Sequence, residues 1–194
     1  MTSAQRLEDK VRKLYESKNE NRAEWADWLW RNHVVVVADY ATELANRFYA
    51  SADLSRTAAL LHDIADVKMQ RSDENHEQES LNLARQLMSE AGFGEEQIKL
   101  VVDDAIKFHS CHGSDRPKSI EGKILATADS LAHLKTNFYV FATWAFGKRG
   151  ETLDDVKEWV LKKIERDFNS KILFDEIKEE TLSDYETIKM LFSR

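Results

Sequence analysis

Glycine and proline set the tightest limit on what this chain can fold into: 194 residues contain six of the first and one of the second. Average usage is about 7% and 5% respectively, and a sheet-rich architecture needs those residues at its turns. The expectation is an all-α protein. Periodicity agrees, because Ala26, Leu29, Trp30, His33 and Val37 make one helical stripe that Ala41, Leu44, Ala45 and Phe48 continue. The four valines at 34–37 would read as a strand alone, but the 3.6-residue period through their flanks outlasts a strand.

More helices follow the same rule. One is predicted from about Ser55 through Val67, and a second from Ser72–Asn75 to a C-cap at Gly92. A third carries Ile98, Val101, Val102, Ala105 and Ile106, and a fourth carries Ile124, Leu125, Ala128, Asp129 and Ala132. Between these last two, SCHGSDRPKS holds the single proline and is the best loop in the chain. From Thr152 the helices become rich in Lys and Glu, opened by a Thr152–Asp155 capping box, with a second box at Ser183–Glu186 predicted to open the last helix. With no repeat and no linker, residues 1–194 are read as one domain, and this tail as accessory helices over 152–194 with a structural role.

Charge and cysteine content restrict the partners. There are 28 basic and 35 acidic side chains, a net charge of −7, and no basic block, so long nucleic acid is not an expected ligand. The first twenty residues lack the apolar core of a signal peptide, and no apolar run approaches the ~18 residues of a membrane span. A lone cysteine, Cys111, forms no intramolecular disulfide, and a cytoplasmic setting without membrane contact is the expectation. A small anionic ligand then requires a local source of positive charge, for which a divalent metal is the strongest.

Histidine and aspartate supply that source. His33, His62 and His109 share helix faces with apolar residues, as does Asp129 with Leu125 and Ala132, and Asp63 follows His62 directly. Polar groups aimed inward from separate helices must find one another or a metal, because an unpaired buried charge costs several kcal/mol. His112 in the loop and His133, read as a solvated helix residue, are set aside as ligands.

The ordered set His33, His62-Asp63 in ALLHDIAD and Asp129 in ILATADSLAHL, over about residues 25–135, resembles the HD-domain metal-dependent phosphohydrolases. The resemblance implies a helical bundle with additional C-terminal helices, with these four residues holding a divalent metal. His76 in ENHEQES and His109 in AIKFHS resemble the two histidines of members that hold a second ion. One or two ions of Mn, Fe, Co, Ni, Zn or Mg are therefore expected, activating water against a small phosphorylated metabolite such as a nucleotide or related phosphate ester. Asp66 stands where several relatives carry a catalytic acid, usually Glu, and is the expected acid/base. Val67 after it and Ala65 in place of the glycine of HD-I-G depart from the alarmone hydrolases. Lys68, Arg71, Arg116 and Lys123, with Lys118, are candidate phosphate contacts. The same six-ligand pattern resembles the HD di-iron oxygenases, and a non-catalytic nucleotide-binding regulator is a third reading. Trp25, Trp28 and Trp30 are assigned to core or interface, and Trp144 to a pocket wall, a buried helix or a homodimer contact.

Overall fold

The computed structural model describes residues 1–193, and among them there are helices and turns without any strand. Ten α-helices follow in order: α1 (Ser3–Glu16), α2 (Ala26–Leu29), α3 (Val35–Arg47), α4 (Ala52–Leu61), α5 (His76–Ala91), α6 (Glu95–Ile98), α7 (Ile120–Leu134), α8 (Phe138–Lys148), α9 (Leu153–Arg166) and α10 (Asp175–Phe192). None of the described helices is long and apolar enough to cross a membrane.

The centre is the packing of α3, α4 and α7 on one another. Small inner residues make the close approach possible: Ala38 and Ala41 on α3, Ala58 and Ala59 on α4, and Ala126 and Ala128 on α7 are fully buried. Helix α7 is buried continuously from Ile124 to Leu134, so that its polar members Thr127, Asp129, Ser130 and His133 lie inside as well. Groups buried this deeply need partners, and the partners make the site described below.

Three of the joints are π-helical, and two of them carry or lead into the site's histidines. The turn Trp30–Val34 links α2 to α3, and Lys99–Ile106 continues α6. Wide turns of this kind rotate the faces on either side and are frequent at functional sites; here one carries His33 and the other leads into His109. Tyr15 stacks on Trp30 at 5.1 Å and Phe141 on Trp28 at 3.5 Å, so these two tryptophans are packing residues as expected. Trp144 is 52% exposed beside Trp25.

Two element boundaries and the role of the tail differ from expectation. The helix assigned to 55–67 ends at Leu61 and gives way to a 3-10 turn over Ile64–Val67. Ser183 and Glu186 do not open a helix, because α10 starts at Asp175 with two acids in its first turn and runs through them. The tail is also more than accessory: a π-turn, Asp167–Lys171, is clamped on α7 by the Ser130 hydroxyl donating to the Asp167 carbonyl (2.6 Å) and the Thr127 hydroxyl donating to that of Lys171 (3.3 Å).

The start of α7 depends on the absence of a side chain at Gly122. A Cβ there would stand 2.5 Å from Pro117 Cβ and 3.0 Å from the Asp104 carboxylate, which accepts from the backbone N–H groups of Lys118 and Ser119. Gly122→Ala is expected to cost about 1–3 kcal/mol by overcrowding, or several degrees in Tm for a chain of this length. Thermal unfolding checks this; an unchanged Tm would contradict the packing described.

Candidate metal centre

Each central side chain is delivered by the end or the inner face of a different element. His33 comes from the first π-turn, His62 from the C-terminal cap of α4, Asp63 from the residue after it, and Asp129 from the middle of α7. His33, His62 and Asp129 offer ligand atoms that all lie within 4.8 Å of one another, and all three residues are buried.

The hydrogen bonding of the cluster is incomplete in an informative way. His62 Nδ1 donates to the Ala59 carbonyl at 2.7 Å, which leaves the Nε2 lone pair facing His33 Nε2 at 3.4 Å. Asp129 Oδ1 has no hydrogen-bond partner, although His33 Nε2 is 3.2 Å away, His133 Nε2 3.4 Å and His62 Nε2 3.9 Å. Asp63 Oδ2 stands 3.3 Å from His62 Nε2. Two ligands bound about 2.05 Å from a tetrahedral ion stand about 3.3–3.4 Å apart. The nitrogens and carboxylate oxygens of the cluster stand at about the spacing that neighbouring ligands of one ion adopt.

The other expected residues take different places. His109 Nδ1 donates to the Ile106 carbonyl at 2.6 Å, its Nε2 meets the Ser110 hydroxyl at 3.4 Å, and its ring lies 5.3 Å from that of His62, at the border of the cluster. His76 Nε2 instead meets Asp66 Oδ1 at 3.0 Å. Asp66 is fully buried, and both its oxygens accept from Arg71. Ending α4 at Leu61 turns Asp66 away from His62, the neighbour a continued helix would have given it. Arg71 also reaches Asp63 at 2.6 Å. Lys68 pairs with Glu79 on the surface, Arg116 donates to the carbonyls of Cys111, Gly113 and Asp115 within its loop, and Lys118 and Lys123 are exposed. Of the candidate phosphate contacts, Arg71 alone lines a cavity beside the cluster. His112 lies exposed in the proline loop and borders the larger cavity.

A family model described as HD domain matches residues 30–134, more than half of the sequence. The chain belongs to the HD domain family. Among solved structures, the crystal structure of selenomethionine YpgQ from Bacillus subtilis aligns with a TM-score of 0.70 at 24% identity, over 99% of this chain and 93% of that one. That likeness shows a shared fold, and its coverage takes in the helices that follow the family match. A comparison with curated proteins returns no match.

Beyond the HD pattern, the structure adds residues that the sequence reading missed. His133, expected in solvent, is 4% exposed, with Nδ1 3.0 Å from Asp167 Oδ2 and 3.3 Å from Lys163 Nζ. Lys171 is ion-paired with Asp129 Oδ2, and Lys163 with Asp167. The spacing carried a signal for both sets: His133 is one turn after Asp129, and Lys163, Asp167 and Lys171 recur every four residues. Together they wall a cavity of about 380 Å³ in which Arg71, Lys162, Lys163, Arg166 and Lys171 face the carboxylates of Asp63 and Asp129. A second cavity of about 660 Å³ reaches His62, Asp63 and His109 from the side of α5.

These surroundings fix the charge states. Burial works against ionisation of Asp63 and Asp129, yet Arg71 and His62 beside the first, and His133 and Lys171 beside the second, hold both carboxyls well below the usual range. Burial would push His62 down as well, but the carboxylates of Asp63 and Asp129 outweigh it and raise the imidazole. Burial lowers His33, takes His109 down to about 4 and His133 down to about 3.

A stability consequence follows for His133. Its folded value lies below the ordinary 6.5 or so, so the unfolded chain takes up a proton first, and stability is complete above that pH and lost as pH falls from about 6.5 toward 3. The slope from this one group is about 1.4 kcal/mol per pH unit. His133→Gln is expected to flatten the pH dependence of the denaturant-unfolding free energy by that amount between pH 6 and 4. An unchanged slope would mean that His133 does not stay neutral inside the fold.

Proposed function

We propose that this protein is a metal-dependent phosphohydrolase acting on a small phosphorylated metabolite, with a nucleotide or related phosphate ester as the substrate class. One observation carries the reading: the imidazole–carboxylate cluster opens into a cavity walled by Arg71, Lys162, Lys163, Arg166 and Lys171. This supplies the local positive charge that an acidic chain needs in order to accept a phosphate.

The donor set of imidazoles with a carboxylate suits Mn, Fe, Co, Ni or Zn, and the orphaned Asp129 Oδ1 supports a bound ion. When bound, such an ion polarises a phosphoryl oxygen and acidifies water. The rest is work for the chain itself. The guanidinium groups of Arg71 and Arg166 are suited to bidentate phosphate contacts, and the ammonium groups of Lys163 and Lys171 act as point charges beside them. Phe138 and Trp159 line the same cavity and give the organic part of the substrate an apolar wall. Asp66 serves by holding Arg71 at the cavity edge and orienting His76, both through direct hydrogen bonds.

Hydrolysis at one ion is favoured over di-iron oxygenation by the position of His76. Among the described residues His33, His62 and Asp129 bring their ligand atoms within 4.8 Å of one another, whereas His76 Nε2 is turned to Asp66.

The test is phosphate release from a panel of nucleotides and sugar phosphates in protein stripped of metal and reloaded with Mn, Co or Ni. Turnover is expected in the reloaded protein alone. His62→Ala with Asp63→Ala should abolish it, and Arg166→Met should raise KM about tenfold while leaving kcat less affected. Turnover that persists in stripped protein, or a panel without any phosphate release after reloading, would overturn the proposal.

A further inference from the structure

We propose that Lys171 is a built-in counter-ion of the metal centre, which holds the outer oxygen of Asp129 and thereby weakens the grip of the site on its ion. The inference rests on the metal-centre reading above and extends it to the control of that centre by a residue beyond the stretch that matches the HD family.

The two oxygens of Asp129 face different surroundings. Oδ1 stands 3.2 Å from His33 Nε2 and 3.9 Å from His62 Nε2 and has no hydrogen-bond partner. Oδ2 is ion-paired with the Lys171 ammonium. Lys171 is 2% exposed and Asp129 3%, so water screens neither charge. Among the described residues, Asp129 is the one acid with which Lys171 pairs. Parting a buried pair leaves two uncompensated charges in the interior, so Oδ2 stays with the lysine and Oδ1 is the oxygen left to an ion.

The backbone holds the ammonium in this place. Lys171 ends the π-turn Asp167–Lys171, and its carbonyl accepts from the Thr127 hydroxyl at 3.3 Å. The same Thr127 oxygen accepts from the Leu173 N–H at 3.1 Å. Ser130 donates to the Asp167 carbonyl at 2.6 Å. Thr127 and Ser130 flank Asp129 on α7, so the turn is fastened on both sides of the carboxylate that its lysine meets. Lys171 also lines the cavity beside the cluster, within reach of the charges that gather there.

The electrostatic consequence has a definite sign. A cation on Oδ2 subtracts from the negative charge that an ion at Oδ1 meets, and in a dry interior the two cations repel across the carboxylate. Asp63, the other carboxylate expected of the centre, is treated alike, with Arg71 at 2.6 Å. Both acids are thus offset by side chains, and a divalent ion beside them keeps most of its own charge. Such an ion is held less tightly and exchanges more readily, and it pulls harder on a phosphoryl oxygen or a water. Removing the ammonium therefore acts in opposite directions on two properties. The metal-free fold loses the partner of a buried carboxylate, whereas the bound ion gains an unshared one.

The experiment is calorimetric titration of the stripped full-length protein with Co(II), together with its melting temperature with and without the ion, for wild type, Lys171→Met, Lys171→Arg and His62→Gln. Lys171→Met is expected to bind Co(II) about tenfold tighter than wild type and to melt lower without the ion. Co(II) should then raise its Tm by more than it raises that of wild type, because tighter binding to the folded chain stabilises it more. Lys171→Arg keeps the charge and should not tighten binding. A lysine that served packing alone would give the opposite sign, since a disturbed site holds its ion more weakly. Should Lys171→Met be unfolded without metal by circular dichroism, it is expected to refold with Co(II), which replaces the lost charge, and Lys171→Gln is titrated in its place. Equal or weaker Co(II) binding in the variant titrated, equal tightening in Lys171→Arg, or failure of both neutral variants to fold at saturating Co(II), while His62→Gln loses binding, would overturn the role of Lys171 and leave the metal centre standing. Binding unchanged in His62→Gln would overturn the metal-centre reading itself.

Discussion

A buried carboxylate oxygen that nothing in the chain hydrogen-bonds organises this molecule. Asp129 Oδ1 has imidazole nitrogens of three different histidines within 4 Å and no partner among them. Leaving such a group unsatisfied costs several kcal/mol, and Asp129 is 3% exposed where α7 packs against α3 and α4. The positions of the surrounding elements make sense as ways of delivering donors to this point. Helix α4 stops so that His62 can cap it, a π-turn swings His33 inward, and α7 is sunk from Ile124 to Leu134.

The C-terminal segment is the second half of the same arrangement. Its π-turn is fastened to α7 by Thr127 and Ser130, which places Lys171 against Asp129 and Asp167 against His133. The carboxylates of Asp129 and Asp167 and the ammonium groups of Lys171 and Lys163 offset one another, so that burial of all four is tolerable. Arg166 and Lys163 on the same segment then face the cavity, while Arg71 closes it from the other side, tied to Asp63 and Asp66. A net-negative protein thereby presents a positive interior surface beside its acids, and all of that charge except Arg71 comes from outside the residues that match the HD family model.

Much of this was legible in the sequence because it follows from short-range rules. Scarcity of glycine and proline gave the fold class, and Thr152–Asp155 and Gly92 marked real helix ends. The convergence of His33, His62 and Asp129 was readable because each interrupts an apolar face. What was not readable depended on contacts distant in sequence. His133 has the environment of a solvated helix residue until the segment around Asp167 covers it. Lys171 and Lys163 look like ordinary members of a charged helix, since their i, i+4 stripe is one residue away from the apolar stripe of Val156, Val160 and Ile164. Lys68, Arg116 and Lys123 looked suitable by proximity in sequence, yet α-helical geometry and the loop turn them elsewhere. Asp66 was misplaced relative to His62 because nothing local announced that α4 would stop at Leu61.

The central claim is that these buried donors share a cation. The most direct measurement is anomalous diffraction from crystals of the protein loaded with cobalt or zinc, recorded on either side of the metal's absorption edge. The account predicts an anomalous peak about 2.0–2.2 Å from His33 Nε2, His62 Nε2 and Asp129 Oδ1 together. A peak located elsewhere, or these three side chains unchanged in position with no peak between them at saturating metal, would contradict it.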